Sequence, residues 1–153
     1  MTQLGKLKAA AAARLAEYAE EKVRAAEDDY AEAVASRNTA EKSTAGDKHE
    51  TGRALMQAEA DRCAVRLNAA RELRGAFRQT DFGKSCDTVS SGSLVRTDGG
   101  LFLISLPFGK IELGAESVYA VSPQSPAGSA LIGKCVGDRA TFGGRTHAVR
   151  EIA

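Results

Sequence analysis

The chain has 153 residues, a formal net charge of +1, 43% hydrophobic residues, 5% aromatics and no tryptophan. That length suits one ordinary domain or two small ones, and so few aromatics speak against a single deep globular core. Up to Thr80 there are 14 Lys and Arg against 13 Asp and Glu, and after it 7 against 7, so neither half is a polycation. Autonomous tight binding of DNA or RNA through counterion release is therefore not expected.

Residues 5 to 79 contain no proline, and after Gly5 only Gly46, Gly52 and Gly75 interrupt a background of Ala, Glu, Arg and Lys. These are strong helix formers. In the first segment Leu4, Leu7, Ala11, Leu15, Tyr18, Val23, Ala26, Tyr30 and Val34 recur at steps of mostly three and four. Met56, Ala60, Cys63, Leu67, Ala70 and Phe77 form a heptad-like stripe in the second, with Arg74 between the last two. Stripes this narrow need a partner, and the polar stretch Arg37 to Gly46 is where the chain is expected to reverse. The prediction is an antiparallel helical hairpin over residues 1–80, a rod of roughly 50 Å.

At the predicted far end of that hairpin stand two carboxylates three residues apart, Asp47 and Glu50. One reading is local: Asp47 caps the second helix and Glu50 closes a capping box. The other is chemical. Carboxylates at i and i+3 share one face of a helix and can reach one ion, and hard oxygens suit magnesium. His49 between them could join a metal site or simply face solvent. The acids Glu27, Asp28, Asp29 and Glu32 read most simply as a solvated helix face.

After Asp81 glycines, short β-branched or aromatic runs and turn pairs take over. SLVRT and LFLISL flank Asp98-Gly99-Gly100, GKIEL and SVYAVS follow, and RATF and THAVREI flank Gly143-Gly144; Asp-Gly and Gly-Gly between apolar runs read as hairpin turns. Ser125 suits an N-cap, Pro126 a first helical position and Gly133 a left-handed stop, so a short helix is expected from Pro126 through Ala127 to Ile132. The class is α+β: a helical hairpin, then a small antiparallel sheet carrying one helix over 81–153. His147 sits in an alternating strand pattern, either exposed or as a satisfied core histidine.

The three cysteines, Cys63, Cys86 and Cys135, are widely spaced and have no metal-ligand pattern, which fits reduced thiols in a cytoplasm. The apolar run Ala9 to Ala13 is closed by Arg14 and is too short for a signal sequence, and no membrane-spanning stretch is expected.

Residues 122 to 138, SPQSPAGSALIGKCVGD, resemble the signature SP-x-SP-x-x-x-AL-x-GK-x-x-GD of the bacterial Gre-type transcript cleavage factors, GreA and GreB. Gly46-Asp47-Lys48-His49-Glu50 is similar to the GD-x-x-EN motif of the same family, in the same place between two helices. The resemblance covers nearly the whole chain. It implies an FKBP-like C-terminal domain on the rim of the RNA polymerase secondary channel and a coiled coil that enters the channel. Ser122, Pro123, Ser125, Pro126, Lys134 and Arg139 become candidate partner contacts. Asp47 and Glu50 become the tip carboxylates that help hold a second magnesium ion, supplied in the polymerase active site, with its attacking water. No cofactor of the chain's own and no complete active site is implied, so the chain would stimulate the polymerase's hydrolysis and not be an enzyme itself.

The chain departs from the pattern beside that pair. The family's Asn after the glutamate is Thr51, its following Ala-Glu-Tyr is Gly52-Arg53-Ala54, and a basic residue often found in the short C-terminal helix is Ser129. Replacing an acid by Arg53 changes the charge offered to a metal-bound phosphate. This raises the alternative of a regulator that occupies the channel without stimulating cleavage. The FKBP-like half also raises a proline-directed isomerase or peptide-binding module, for which Phe102, Phe108, Tyr119 and Phe142 offer little apolar surface.

Overall fold

In the computed structural model of the chain the described residues are 2–42 and 46–153, and for 41–49 only backbone is described where it is helical. Helix α1 runs Gln3–Lys42 and α2 Gly46–Gln79. The strands are β1 Leu94–Thr97, β2 Gly100–Ile104, β3 Gly109–Leu113, β4 Glu116–Val121, β5 Arg139–Phe142 and β6 Arg145–Ile152, with α3 at Pro126–Leu131. The α+β class expected from the residues is the class observed. The chain forms two compact units, one of residues 1–17 with 76–153, the other Tyr18–Gly75.

Within Tyr18–Gly75 the two helices run antiparallel. Arg74 Nη1 meets Glu20 Oε2 at 3.3 Å, Ala33 packs with Ala60 and Cys63, and Arg37 Nη1 donates to Gln57 Oε1 at 3.4 Å, so each step up α1 is a step down α2. The buried seam is Ala19, Val23 and Ala33 on α1 against Ala60, Cys63, Leu67 and Ala70 on α2. Two expectations need adjusting here. Tyr18 and Val34 are half-buried and yield the seam positions to Ala19 and Ala33, while Met56 is 40% exposed. The stretch expected to reverse the chain is helical through Lys42, since Arg37, Ala40, Glu41 and Lys42 favour a helix and Thr39 Oγ1 bonds back to the Ala35 carbonyl at 3.0 Å. Residues 43–45 lie outside the described residues.

In the other unit the strands form one six-stranded sheet in the order β3-β4-β2-β1-β6-β5. Its pairs are antiparallel except β2 with β4, which run parallel from Leu101 opposite Val118 to Ile104 opposite Val121. The antiparallel sheet expected is therefore mixed, because the β3–β4 hairpin folds back so that its second strand, not its first, lies beside β2. The β5–β6 turn pairs Phe142 with Arg145, and Gly143 at φ 60° and Gly144 at φ 73° both take the left-handed region that a two-residue hairpin turn demands.

One face of the sheet presents Val95, Phe102, Ile104, Ala140 and Val149, packed with Val89 and with Leu131 of α3. Leu94, Leu101, Leu103, Ile111, Val118 and Ala120 are buried too, so β2 is covered on both faces. Leu4, Leu7, Ala11 and Leu15 of α1 are buried in the same unit. Lys8 is also buried, its Nζ donating to the Lys84 carbonyl at 3.1 Å; burial lowers its pKa, against the pull of Asp81 and Cys86.

His147 is the core histidine of the two alternatives. Its ring stacks on Phe142 at 4.1 Å, meets Phe102 edge-on and lies 3.4 Å from Thr97 Oγ1, and a Cβ at Gly99 would strike it. Burial first, then Arg145, lowers its pKa below the ordinary 6.5, while Asp98 opposes them. The fold thus favours neutral imidazole. Stability is fully present above the ordinary pKa and is lost as pH falls through the lowered one, by at most about 1.4 kcal/mol per pH unit. Thermal unfolding followed from pH 7.5 to 5 should show this decline in wild type and a flatter profile in His147→Phe. Equal slopes would show that other groups carry it.

Candidate functional site

Two places in the chain drew functional readings, and each unit holds one. In the helical unit α2 starts at Gly46, so Asp47 and Glu50 lie three residues apart near the start of one helix, at the end where α1 finishes and α2 begins. Glu50, Thr51, Arg53 and Ala54 are exposed. The side chains of Asp47 and His49 lie outside the described residues, and so does the capping role considered for Asp47. Arg53 follows Glu50 by one helical turn, so the cation and the carboxylate are neighbours on the α2 surface. Two features beyond the acidic pair escaped the sequence reading: Leu55 and Met56, at 65% and 40% exposure, present apolar surface just past it.

Farther along the same helices a groove of about 400 Å³ is lined by Asp29, Glu32, Met56, Glu59, Cys63 and Arg66. Glu59 accepts from Arg62 at 2.7 Å and from Arg66 at 3.4 Å, and the Arg62 hydrogen bond is the first reason that its pKa falls. Glu27, Asp28, Asp29 and Glu32 are all exposed, as a solvated face requires.

The second place is the 122–138 segment, and its local chemistry explains most of its residues. Ser125 caps α3, accepting from Gly128 N at 3.0 Å while its hydroxyl donates to the Ser122 carbonyl at 2.7 Å, and Pro126 opens the helix. A Cβ on Gly128 would collide with the Ser122 carbonyl. Leu131 is fully buried, Gly133 stops the helix at φ 87°, and Asp138 Oδ2 accepts from Cys135 N at 2.8 Å to close the turn into β5. Ser122, Pro123 and Lys134 are half-buried beside α3, while Arg139 is exposed at the start of β5. The exposed apolar pair Ile132 and Val136, at 39% and 59%, flanks Lys134 and was not singled out in the sequence because single apolar residues after a glycine stop carry no periodic signal.

This segment makes a sharp stability prediction. Gly128→Ala should lower the melting temperature by several degrees, since the methyl meets backbone that cannot swing away. In Gly52, whose added Cβ meets nothing within 4 Å, the same change should stabilise by about 0.5–1 kcal/mol as a helical glycine replaced by alanine. Calorimetry on the two variants checks both signs, and a stabilised Gly128→Ala would contradict the packing described.

Of the four rings weighed for a peptide pocket, Phe102, Tyr119 and Phe142 pack on one another. Phe102 stacks with Tyr119 at 5.9 Å and meets Phe142 edge-on at 5.2 Å, and Arg14 sits over Phe108 at 5.3 Å. Among the described residues no cluster of three or more His, Cys, Asp or Glu has metal-binding geometry, and no helix is long and apolar enough to cross a membrane.

No family model matches the chain, and no curated protein is significantly similar to it.

Proposed function

We propose that the chain is a transcription elongation factor of the Gre type, which binds RNA polymerase through its secondary channel and stimulates the polymerase's own cleavage of backtracked RNA. The observation that carries this reading is the Asp47 and Glu50 pair, set three apart at the start of α2 where two antiparallel helices meet. The 122–138 segment supports it through its sequence. Hydrolysis of a displaced RNA 3′ end by two metals requires both the attacking and the leaving oxygen to be stabilised. A carboxylate pair delivered from outside supplies ligands that phosphate oxygens alone do not. Asp47 then binds the second magnesium directly, and Glu50 either binds it or orients the attacking water as a base. The metal and the catalytic centre belong to the polymerase, and the chain contributes ligands and positioning.

Docking falls to the sheet unit, where Ser122, Pro123, Ser125, Pro126, Lys134 and Arg139 surround α3. Because Ser125 and Pro126 also build α3, substitutions there mix folding with binding, whereas Lys134→Ala and Arg139→Ala report docking more cleanly. The place of action is the cytoplasm, with no membrane partner and no autonomous tight DNA binding.

The position of Arg53 favours a second reading. An exposed guanidinium one turn from Glu50 competes with a magnesium ion for that carboxylate, which suits a factor that occupies the channel without stimulating cleavage. Stalled, backtracked elongation complexes incubated with magnesium and the protein separate the two. Shortened RNA supports the cleavage factor. Unchanged RNA together with competition against a known cleavage factor supports the second reading, and neither effect refutes both.

A further inference from the structure

We infer that Cys86 and Cys135 form a redox-active dithiol that closes to an intramolecular disulfide when the protein meets a peroxide. All three cysteines are free. Cys63 is buried in the helical seam, whereas Cys86 is half-buried and Cys135 exposed, and these two line one cavity of about 300 Å³ together with Asp87, Val136 and Ile152. The backbone brings them there. Thr88 forms an isolated antiparallel bridge with Cys135, and its hydroxyl lies 3.5 Å from the Cys135 sulfur. Cys86 stands two residues before Thr88, so this bridge brings it near Cys135.

A disulfide holds its Cα atoms within about 4.4–6.8 Å. Closure brings the two residues to that separation. Cys135 is held by the turn to Asp138, with hydrogen bonds at 2.8 and 3.0 Å. Cys86 lies in the stretch from Lys84 that belongs to no strand or helix, so it is the partner that moves. The Lys8 ammonium is anchored on the Lys84 carbonyl, two residues from Cys86.

The chemistry balances with hydrogen peroxide as the oxidant. The exposed Cys135 thiolate attacks one peroxide oxygen, the O–O bond breaks, and the leaving hydroxide takes a proton to become water, leaving a sulfenic acid on Cys135. The Cys86 thiolate then attacks that sulfur, forming the S–S bond and releasing the sulfenic hydroxyl as a second water. Two thiols lose two electrons and two protons, and the peroxide gains them. The product ties the segment before Val89 to the turn that follows α3, independently of what the protein binds.

The full chain is treated with a small excess of hydrogen peroxide in dilute solution, alkylated under denaturing conditions, and analysed by intact mass and peptide mapping. The expected result is a monomer lighter by about 2 Da before alkylation, one peptide pair joining Cys86 to Cys135, and an alkylated Cys63. Cys86→Ser should instead accumulate a Cys135 sulfenic acid that dimedone captures, and Cys63→Ser should close as wild type does. Absence of the Cys86–Cys135 pair in wild type overturns the inference, whether the thiols stay free, oxidise separately, pair with Cys63 or link two chains.

Discussion

Asp47→Ala and Glu50→Ala should each lower magnesium-dependent cleavage of backtracked RNA at least ~10-fold, the scale on which metal sites respond to losing even an orienting group, while the melting temperature and polymerase binding stay close to wild type. Glu50 is exposed, so its removal takes away little packing. The double variant should be scarcely worse than the poorer single one, because groups acting on one ion form a unit and their losses do not add. Rates from single-turnover cleavage and binding by competition separate the two effects. The capping role predicts differently: Asp47→Ala would cost about 1 kcal/mol of stability, and any loss of activity would track unfolding. If wild type stimulates no cleavage, Arg53→Glu is the variant that should restore it, and its silence would remove Arg53 as the cause.

The other large effect concerns the helical seam. Leu67 is 6% exposed amid Ala60, Cys63 and Ala70, which makes it the bulkiest buried side chain on the α2 side of this contact. Leu67→Asp removes that side chain, worth about 2–5 kcal/mol, and places a carboxylate in an apolar seam. Much of the helical circular dichroism signal should be lost at temperatures where wild type is folded. Val65, two residues away and 68% exposed, supplies the control, and Val65→Asp should change stability by less than about 0.5 kcal/mol. Equal melting of Leu67→Asp and wild type would mean that α2 does not bury the face assigned to it.

The residue pattern announced the β-hairpins and α3 because each carries its own chemistry. Gly143-Gly144 can adopt two successive left-handed conformations, and Ser125, Pro126 and Gly133 are a cap, a first position and a stop. The helical seam was legible in period but not in membership, since alanine reads as neutral: nothing in the letters tells buried Ala19 and Ala33 from the exposed Ala25 and Ala35. Strand alternation says which face a residue takes but not which strand lies beside it, so the parallel β2–β4 pair was out of reach. His147 was ambiguous for a related reason, because its burial depends on Phe142, Phe102 and the missing side chain of Gly99, which converge only in the sheet. At the start of α2 the spacing of Asp47 and Glu50 was readable at once, and the structure adds the exposure of Glu50 and of Arg53.

The interrupted sequence of the sheet-containing unit bears on the order of folding. Tyr18–Gly75 is inserted between two stretches that must find each other, and ordering an unstructured loop of that length costs entropy that grows with the logarithm of its length. The helices of the insertion form through near-neighbour contacts, which assemble fast. Once they pair, Glu20 and Arg74 are joined by an ion pair, so the two ends of the insertion lie side by side. The surrounding chain then sees a link of a few residues in place of several dozen, a saving of about 2 kcal/mol in closure entropy. Early pairing of the helices would act as an internal template, and a lesion in their seam should slow the refolding of the sheet.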